Sequence, residues 1–182
     1  MNPSIIDQIF DLFERFGVLH YGEDATQLQH ALQVAELARR NRCSDAMIAA
    51  ALLHDVGQLM NDAGNAAETL GIDAGHEISG AAYLSTYFPP EVTEPIRLHV
   101  AAKRYLCAID AAYLEGLSRA SAISLHLQGG PMSGIEVQAF RSEAFCHDAV
   151  TLRRFDDIGK QPDWRVPDLA SYRVLLEGLA TA

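Results

Sequence analysis

Apolar side chains return every three or four positions over almost the whole chain, a spacing that confines it to helices packed on helices. Ile5, Ile6, Ile9, Phe10, Leu12, Phe13 and Phe16 trace one broad face after Asn2-Pro3, an N-cap followed by proline at the first helical position. A second helix is predicted over about 25–40, with Leu28, Ala31, Leu32 and Ala35 inward. Ser44 caps a third, rich in Ala and Leu, that runs through His54 and Asp55. Gly71 and Gly75 bracket a loop before a helix over 76–87, ended by Pro89-Pro90, and another covers about 92–106. Asp110 and Ser118 cap two shorter helices, and Ser133 stands three residues before Glu136, the spacing of a capping box. Gln128-Gly129-Gly130-Pro131 reads as a turn, a long helix carries Arg153 and Asp156, and the last helix follows Pro167 with Asp168 as cap. No strand-like alternation, internal repeat or Gly/Ser linker interrupts this pattern. The sequence predicts one all-α domain over residues 1–182.

Apolar residues make up 49% of the 182 positions, enough for a sizeable core. The 14 basic and 24 acidic side chains leave a formal charge of −10, which argues against binding nucleic acid or anionic membrane through overall charge. The longest apolar run, Ala46 to Leu53, is far shorter than a membrane span. Asp7 and Asp11 lie near the start with no basic stretch before an apolar one, so no signal peptide is expected. Cys43, Cys107 and Cys146 are odd in number and widely spaced, as expected of reduced packing residues in a cytoplasmic protein. The oligomeric state is not legible.

The informative unit is Ala50-Ala51-Leu52-Leu53-His54-Asp55-Val56-Gly57. It sets two strong metal-binding groups side by side at the end of an apolar helix. An unpaired carboxylate buried there would cost several kcal/mol, so something cationic must meet it. A metal ion is one answer, and a satisfied core histidine with a capping Asp is the other. His30 on the preceding helix, His76 at the start of a helix, His99 mid-helix and Asp156 all sit among apolar or small residues. Their order, His…His-Asp…His…His…Asp, is the layout of an HD-domain metalloprotein with two metals. Six ligands serve two octahedral ions only if one carboxylate bridges, and Asp55 is the natural bridge. Histidine and carboxylate donors suit iron, manganese or similar metals, and no cysteine is positioned to demand zinc. Lys103 follows His99 by four residues and Arg153 precedes Asp156 by three, so each cation shares a helix face with a candidate ligand. They are candidate anion receptors, or charge balance for the carboxylates.

The stretches His99-Val100-Ala101-Ala102-Lys103-Arg104-Tyr105-Leu106, Gln128-Gly129-Gly130-Pro131-Met132 and Asp156 through Gly159-Lys160-Gln161 resemble the PhnZ-type organophosphonate oxygenases. These are HD-domain proteins with a mixed-valent di-iron centre, related to inositol oxygenase. The resemblance runs from about Gly22 to Tyr172. It implies an HD-domain helical bundle with a dinuclear Fe(II)/Fe(III) centre: His30, His54, Asp55 and Asp156 on one iron, and Asp55, His76 and His99 on the other. It also implies dioxygen as co-substrate and a small organophosphonate as substrate. The expected reaction oxidises C1 of a 1-hydroxy-2-aminoethylphosphonate, or its N-trimethylated analogue, and breaks the carbon–phosphorus bond to give phosphate and glycine or glycine betaine.

By position, the resemblance places Lys103, Ser121 and Arg153 around the phosphonate, with Ser124 and Gln128 nearby, and Glu23 at the substrate amine. In the family pattern a tyrosine three residues before that glutamate caps an iron when substrate is absent. Here His20 holds the position with Tyr21 beside it, and either is a candidate gate. Gln58 stands where the family often has histidine, one turn beyond His54, and can donate to an oxyanion. His126 and His147 match nothing in the pattern and read as surface or packing residues. The main alternative is an HD-type phosphohydrolase, in which a metal-bound hydroxide attacks a phosphate ester. An HD module that binds a phosphorylated ligand without turnover is a third.

Overall fold

The computed structural model describes residues 3–20, 24–60 and 73–181. Every regular element among them is helical. Helix α1 spans Ile5–Phe16, α2 Gln27–Arg40, α3 Asp45–Leu53 and the single turn α4 Val56–Leu59. After position 72 come α5 (His76–Leu84), α6 (Pro90–Ile109), α7 (Ala111–Glu115), α8 (Arg119–Leu127), α9 (Gly134–Ser142) and α10 (Cys146–Ile158). A 3-10 turn over Leu169–Tyr172 leads into α11 (Arg173–Leu179). No helix is long and apolar enough to cross a membrane among the described residues.

Capping chemistry starts most helices where the residue types predict. The side chains of Thr26, Ser44, Asp110, Ser118, Ser133 and Asp168 each accept a backbone N–H of the first turn, and Thr26 and Ser133 complete capping boxes with Gln29 and Glu136. Several expected boundaries differ: α3 stops at Leu53 and does not run through Asp55, α5 stops at Leu84 and not at 87, and α6 runs on to Ile109. Ser4 caps α1: its hydroxyl accepts the N–H of Asp7 and donates to the Asp7 carboxylate at 2.8 Å, while the expected cap, Asn2, lies outside the described residues. Helix α6 begins at Pro90 and not at 92, because proline has no N–H to lose and a φ already suited to the first helical position.

Helix α3 is the centre. Every side chain from Met47 to Leu53 is buried, and α2, α6 and α10 surround it. The principal core joins α1 to α6, α10 and the C-terminal turn, and a smaller cluster of Leu98, Ala102, Phe140, Cys146 and Ala149 ties α6 to α9 and α10. All three cysteines are free, two of them buried, as packing residues would be.

Two glycine sites control how closely elements approach. Gly129 and Gly130 take φ of 95° and 74°, left-handed values that side chains resist. The turn they make offers the Gly130 carbonyl to Arg104 Nε at 2.8 Å, while Arg104 Nη2 donates to Glu136 at 2.7 Å. Two separate sequence motifs, Lys-Arg-Tyr-Leu and Gln-Gly-Gly-Pro-Met, are thus parts of one clasp. Gly57 in α4 lies directly against α5, and a Cβ built there would be 2.0 Å from the His76 carbonyl oxygen. Because that obstacle is backbone, Gly57→Ala must push α5 away from α4. The variant is expected to lose about 1–3 kcal/mol, read as a Tm lowered by roughly 2–4 °C per kcal/mol, and to bind metal less tightly because His76 moves with α5.

Candidate metal centre

Separate helices deliver the imidazoles. His30 stands in the first turn of α2, His54 immediately after α3, His76 at the start of α5 and His99 midway along α6. Asp55 occupies the break between α3 and α4, and Asp156 the last turn of α10. His54 and His99 are 0% and 1% exposed, and His30 and Asp156 are buried beside them.

Backbone acceptors orient three of the four rings. Nδ1 of His30 is 2.7 Å from the Gly159 carbonyl, that of His54 2.9 Å from Ala51, and that of His99 2.7 Å from Ile96. A carbonyl can only accept, so each Nδ1 donates and each Nε2 turns a lone pair inward. Gln33, one turn beyond His30 and 0% exposed, holds the segment that supplies the first of these carbonyls. Its Nε2 donates to the Gln161 and Trp164 carbonyls at 2.5 and 3.2 Å, and its Oε1 accepts the Gln161 N–H at 3.0 Å.

The inward nitrogens come in two close pairs. His30 Nε2 and His54 Nε2 are 3.1 Å apart, and His76 Nε2 and His99 Nε2 are 3.2 Å apart. Facing lone pairs repel at that distance unless they share a cation. Asp55 stands between the pairs, with Oδ2 3.4 Å from His54 and 3.7 Å from His30, and Oδ1 3.1 Å from His76 and 3.6 Å from His99. Asp156 Oδ1 closes the first group at 3.3 Å from His30 and 3.9 Å from His54. Ligands at adjacent corners of an octahedron with bonds of about 2.1 Å are about 3.0 Å apart, and opposite ones about 4.2 Å. All of these separations fall within those limits. The donors therefore form two groups of three that could each hold a metal ion, His30, His54 and Asp55, and Asp55, His76 and His99, with the carboxylate of Asp55 common to both. Asp156 lies beside the first group and supplies it with a further carboxylate.

Electrostatics divides the rings. Burial opposes charge on all four, and at His54 and His99 it prevails, lowering the first and bringing the second to about 3 with help from the neighbouring rings. At His30 and His76 burial is outweighed by hydrogen bonds and charge from Asp156 and Asp55, which raise both. Burial would also raise the two aspartates. The charge of His54 and the hydrogen bond of His76 hold Asp55 well below the usual carboxylate range, and Arg153 and Lys160 do the same for Asp156. The carboxylates are anionic and ready for a cation.

A cationic pocket adjoins this cluster. Arg153, 4% exposed, donates from Nη1 to Asp156 Oδ2 at 2.6 Å, from Nη2 to Asp157 and to Ser121 Oγ, and from Nε to Tyr113 Oη at 3.0 Å. Lys160 Nζ reaches the same Ser121 hydroxyl at 3.3 Å and lies 3.9 Å from Asp156 Oδ1. Lys103, 2% exposed, differs: its ammonium donates to Ser124 Oγ at 2.7 Å and has no carboxylate partner among the described residues. Burial and the charge of Arg153 bring its pKa down to about 8.

The structure thus gathers His30, His54, Asp55, His76, His99 and Asp156 in one cluster, with Lys103, Ser121, Ser124 and Arg153 in the pocket beside it. Gln128, the C-cap of α8, has a buried Oε1 without a hydrogen-bond partner. Gln58 is half-buried in α4. His20 is exposed and makes no hydrogen bond or ion pair with the cluster among the described residues, whereas Tyr21 and Glu23 lie outside those residues. His126 and His147 are exposed, in line with a surface reading. Reading by residue type missed Tyr113, Asp157 and the part played by Lys160. Asp157 stands four residues after Arg153, a legible helical spacing; nothing local marks Tyr113.

A family model described as HD domain matches residues 28–158. The chain is 46% identical over 173 residues to the hydroxymethylphosphonate dioxygenase of Gimesia maris, covering 94% of this chain and 86% of that protein. It is 40% identical over 166 residues to the 1-hydroxy-2-(trimethylamino)ethylphosphonate dioxygenase (glycine-betaine-forming) of Leisingera caerulea, covering 91% and 85%.

Because both donor groups use Asp55, Asp55→Ala is expected to abolish retention of both metals, whereas Asp156→Ala should spare the position built by Asp55, His76 and His99. Metal content per chain after desalting, measured by plasma emission, checks this. Wild-type content in the Asp55 variant would overturn the shared-carboxylate arrangement.

Proposed function

This chain belongs to the HD-domain family and, within it, to the PhnZ-type organophosphonate oxygenases; from that premise we propose that it uses dioxygen to cleave the carbon–phosphorus bond of a 1-hydroxyalkylphosphonate. The atoms balance as R–CH(OH)–PO3 plus O2 giving R–COO and phosphate, with C1 leaving as a carboxylate. Glycine or glycine betaine is the product when R carries an amine or a trimethylammonium group. The observation that carries the reading is the meeting of two groups able to hold a metal, sharing Asp55, with a buried ammonium, Lys103, that has no carboxylate partner among the described residues.

The metals of this reading are two iron ions, a choice supported by nitrogen and carboxylate donors without sulfur. When bound they supply redox chemistry toward dioxygen and Lewis acidity toward the substrate's oxygens. The chain's own groups do the rest. Asp55 spans the two positions, and the Nδ1–carbonyl hydrogen bonds keep three imidazoles from turning away. In this reading the substrate's hydroxyl and one phosphonate oxygen would be drawn to the position that Asp55, His76 and His99 would hold. Lys103, Ser121 and Ser124 would then border the remaining phosphonate oxygens, with the side-chain NH2 of Gln128 as a further donor. Lys103 contributes an unneutralised charge, while Arg153, held by Asp156 and Asp157, contributes direction. Burial of His54, His99, Lys103 and Asp156 excludes bulk water, which strengthens each of these interactions. Glu23 is proposed to receive an amine at the far end of the substrate, with His20 or Tyr21 as a gate when substrate is absent, as the family resemblance implies.

The deciding experiment supplies the iron-loaded protein with hydroxymethylphosphonate and with the amino and trimethylamino 1-hydroxyethylphosphonates, following oxygen uptake and phosphate together. Stoichiometric oxygen consumption and phosphate release with at least one of them is expected. Anaerobic release of phosphate from an ester, with no oxygen uptake on any phosphonate, would establish the phosphohydrolase instead.

Two variants separate charge from positioning. Lys103→Gln should weaken substrate binding by about 10- to 150-fold, the equivalent of a lost charge-assisted hydrogen bond of about 1.5–3 kcal/mol, with metal content unchanged. Arg153→Gln should lower metal content as well, because Asp156 loses its 2.6 Å partner. Lys103 is protonated below about 8 and neutral above it, so phosphonate affinity in the wild type should fall as pH rises through that value. The Lys103→Gln variant should lack this dependence; an unchanged profile would remove Lys103 from the anion site.

A further inference from the structure

Three of the four inward histidines hand their Nδ1 proton to a backbone carbonyl at 2.7–2.9 Å, and the fourth does not. His76 has no such carbonyl among the described residues. The polar atom facing its Nδ1 is Oε2 of Glu77, 3.7 Å away. Glu77 is 9% exposed, and that oxygen is buried without a hydrogen-bond partner. A buried carboxylate oxygen left without a donor is costly and uncommon.

Glu77 stands in the first turn of α5, where unsatisfied N–H groups and the positive end of the helix dipole favour a negative charge. That location explains how the carboxylate is tolerated, but not why Oε2 is aimed at the imidazole. His76 also serves the position with fewer protein donors, where each ligand must bind more strongly to hold the ion. A carboxylate behind a ligating imidazole is a stronger acceptor than a carbonyl and raises the basicity of the opposite ring nitrogen.

We propose that Glu77 is the positioning residue of the second metal site: its buried carboxylate, lying behind His76, fixes the tautomer that turns Nε2 inward and strengthens His76 as a ligand. The inference rests on the reading that Asp55, His76 and His99 hold a metal ion. It assigns Glu77 no contact with substrate. It predicts an unequal pair of sites, one oriented by neutral carbonyls and the other partly by an anion.

The test is titration of Mn(II) into the metal-stripped full-length chain, with electron paramagnetic resonance counting free ions and detecting coupled pairs. The wild type should take up two equivalents and show a coupled spectrum. Glu77→Gln keeps the shape and removes the charge, and should weaken one of the two equivalents by about 10- to 100-fold while leaving the other within about twofold. His76→Ala, as a reference, should lose that same equivalent. Thermal melting of the metal-stripped Glu77→Gln protein should give a Tm at or above the wild-type value, since an unpartnered buried charge has gone. If the wild type binds two ions and Glu77→Gln binds both as tightly, or both equally more weakly, the proposal fails while the two-metal reading stands. If the wild type binds fewer than two, the two-metal reading itself fails. A lowered Tm with unchanged Mn(II) binding would make Glu77 a helix-end residue alone and overturn the assignment. Should Glu77→Gln not fold, Glu77→Asp, which withdraws the charge by one methylene, must give the same one-site weakening for the proposal to hold.

Discussion

The carboxylate of Asp55 sets the terms for the rest of the molecule. It emerges where the fully buried helix α3 ends, its two oxygens face different pairs of imidazoles, and His54 and His76 hold it anionic. Such a group is stable inside a protein only if other elements bring it donors or cations. Helices α2, α5 and α6 each supply one imidazole, and α10 supplies a second carboxylate. The bundle is therefore organised around a polar centre as much as around its apolar core. The contact of Gly57 with the start of α5 is part of the same requirement, since it lets His76 come within 3.1 Å of Asp55.

Beside that centre an acidic chain builds a cationic pocket, and it treats the cations differently. Arg153 is neutralised by Asp156 and Asp157 and hydrogen-bonded to Tyr113 and Ser121, so its direction is fixed before any anion arrives. Lys103 has a serine and, among the described residues, no carboxylate, so its charge remains available. Arg153 also joins the pocket to the metal cluster through Asp156, which faces His30 with one oxygen and the guanidinium with the other. A change at the anion end is thereby transmitted to a candidate ligand. Net charge over the whole chain conveys nothing of this, because it sums charges without regard to which of them the fold brings together.

The helices and their starts were legible because capping is chemistry between residues two or three apart. Ser44, Asp110, Ser118, Ser133 and Asp168 needed no tertiary information. The displaced starts of α1 and α6 arose where two local solutions competed, Asn2 against Ser4 and a proline that ends one segment against the same proline opening the next. The six candidate metal ligands were legible as strong donors in apolar surroundings. The parts of Tyr113, Lys160 and Glu77 were not, because an acid, a base or a tyrosine reads as surface until something packs over it, and Asp157 showed only its spacing from Arg153.

By itself the sequence determined the all-α class, the residue types that could ligate, and the family to which their order belongs, since periodicity, donor chemistry and motif are properties of neighbours along the chain. Tertiary structure decided which donors share an ion, which oxygen of Asp55 serves which pair, and which cation keeps its charge. Those depend on distances between helices far apart in sequence, His30 and Gly159 being one example and Arg104 and Gly130 another. An interaction that falls off over a few ångströms cannot be read from positions separated by tens of residues until the fold has brought them together.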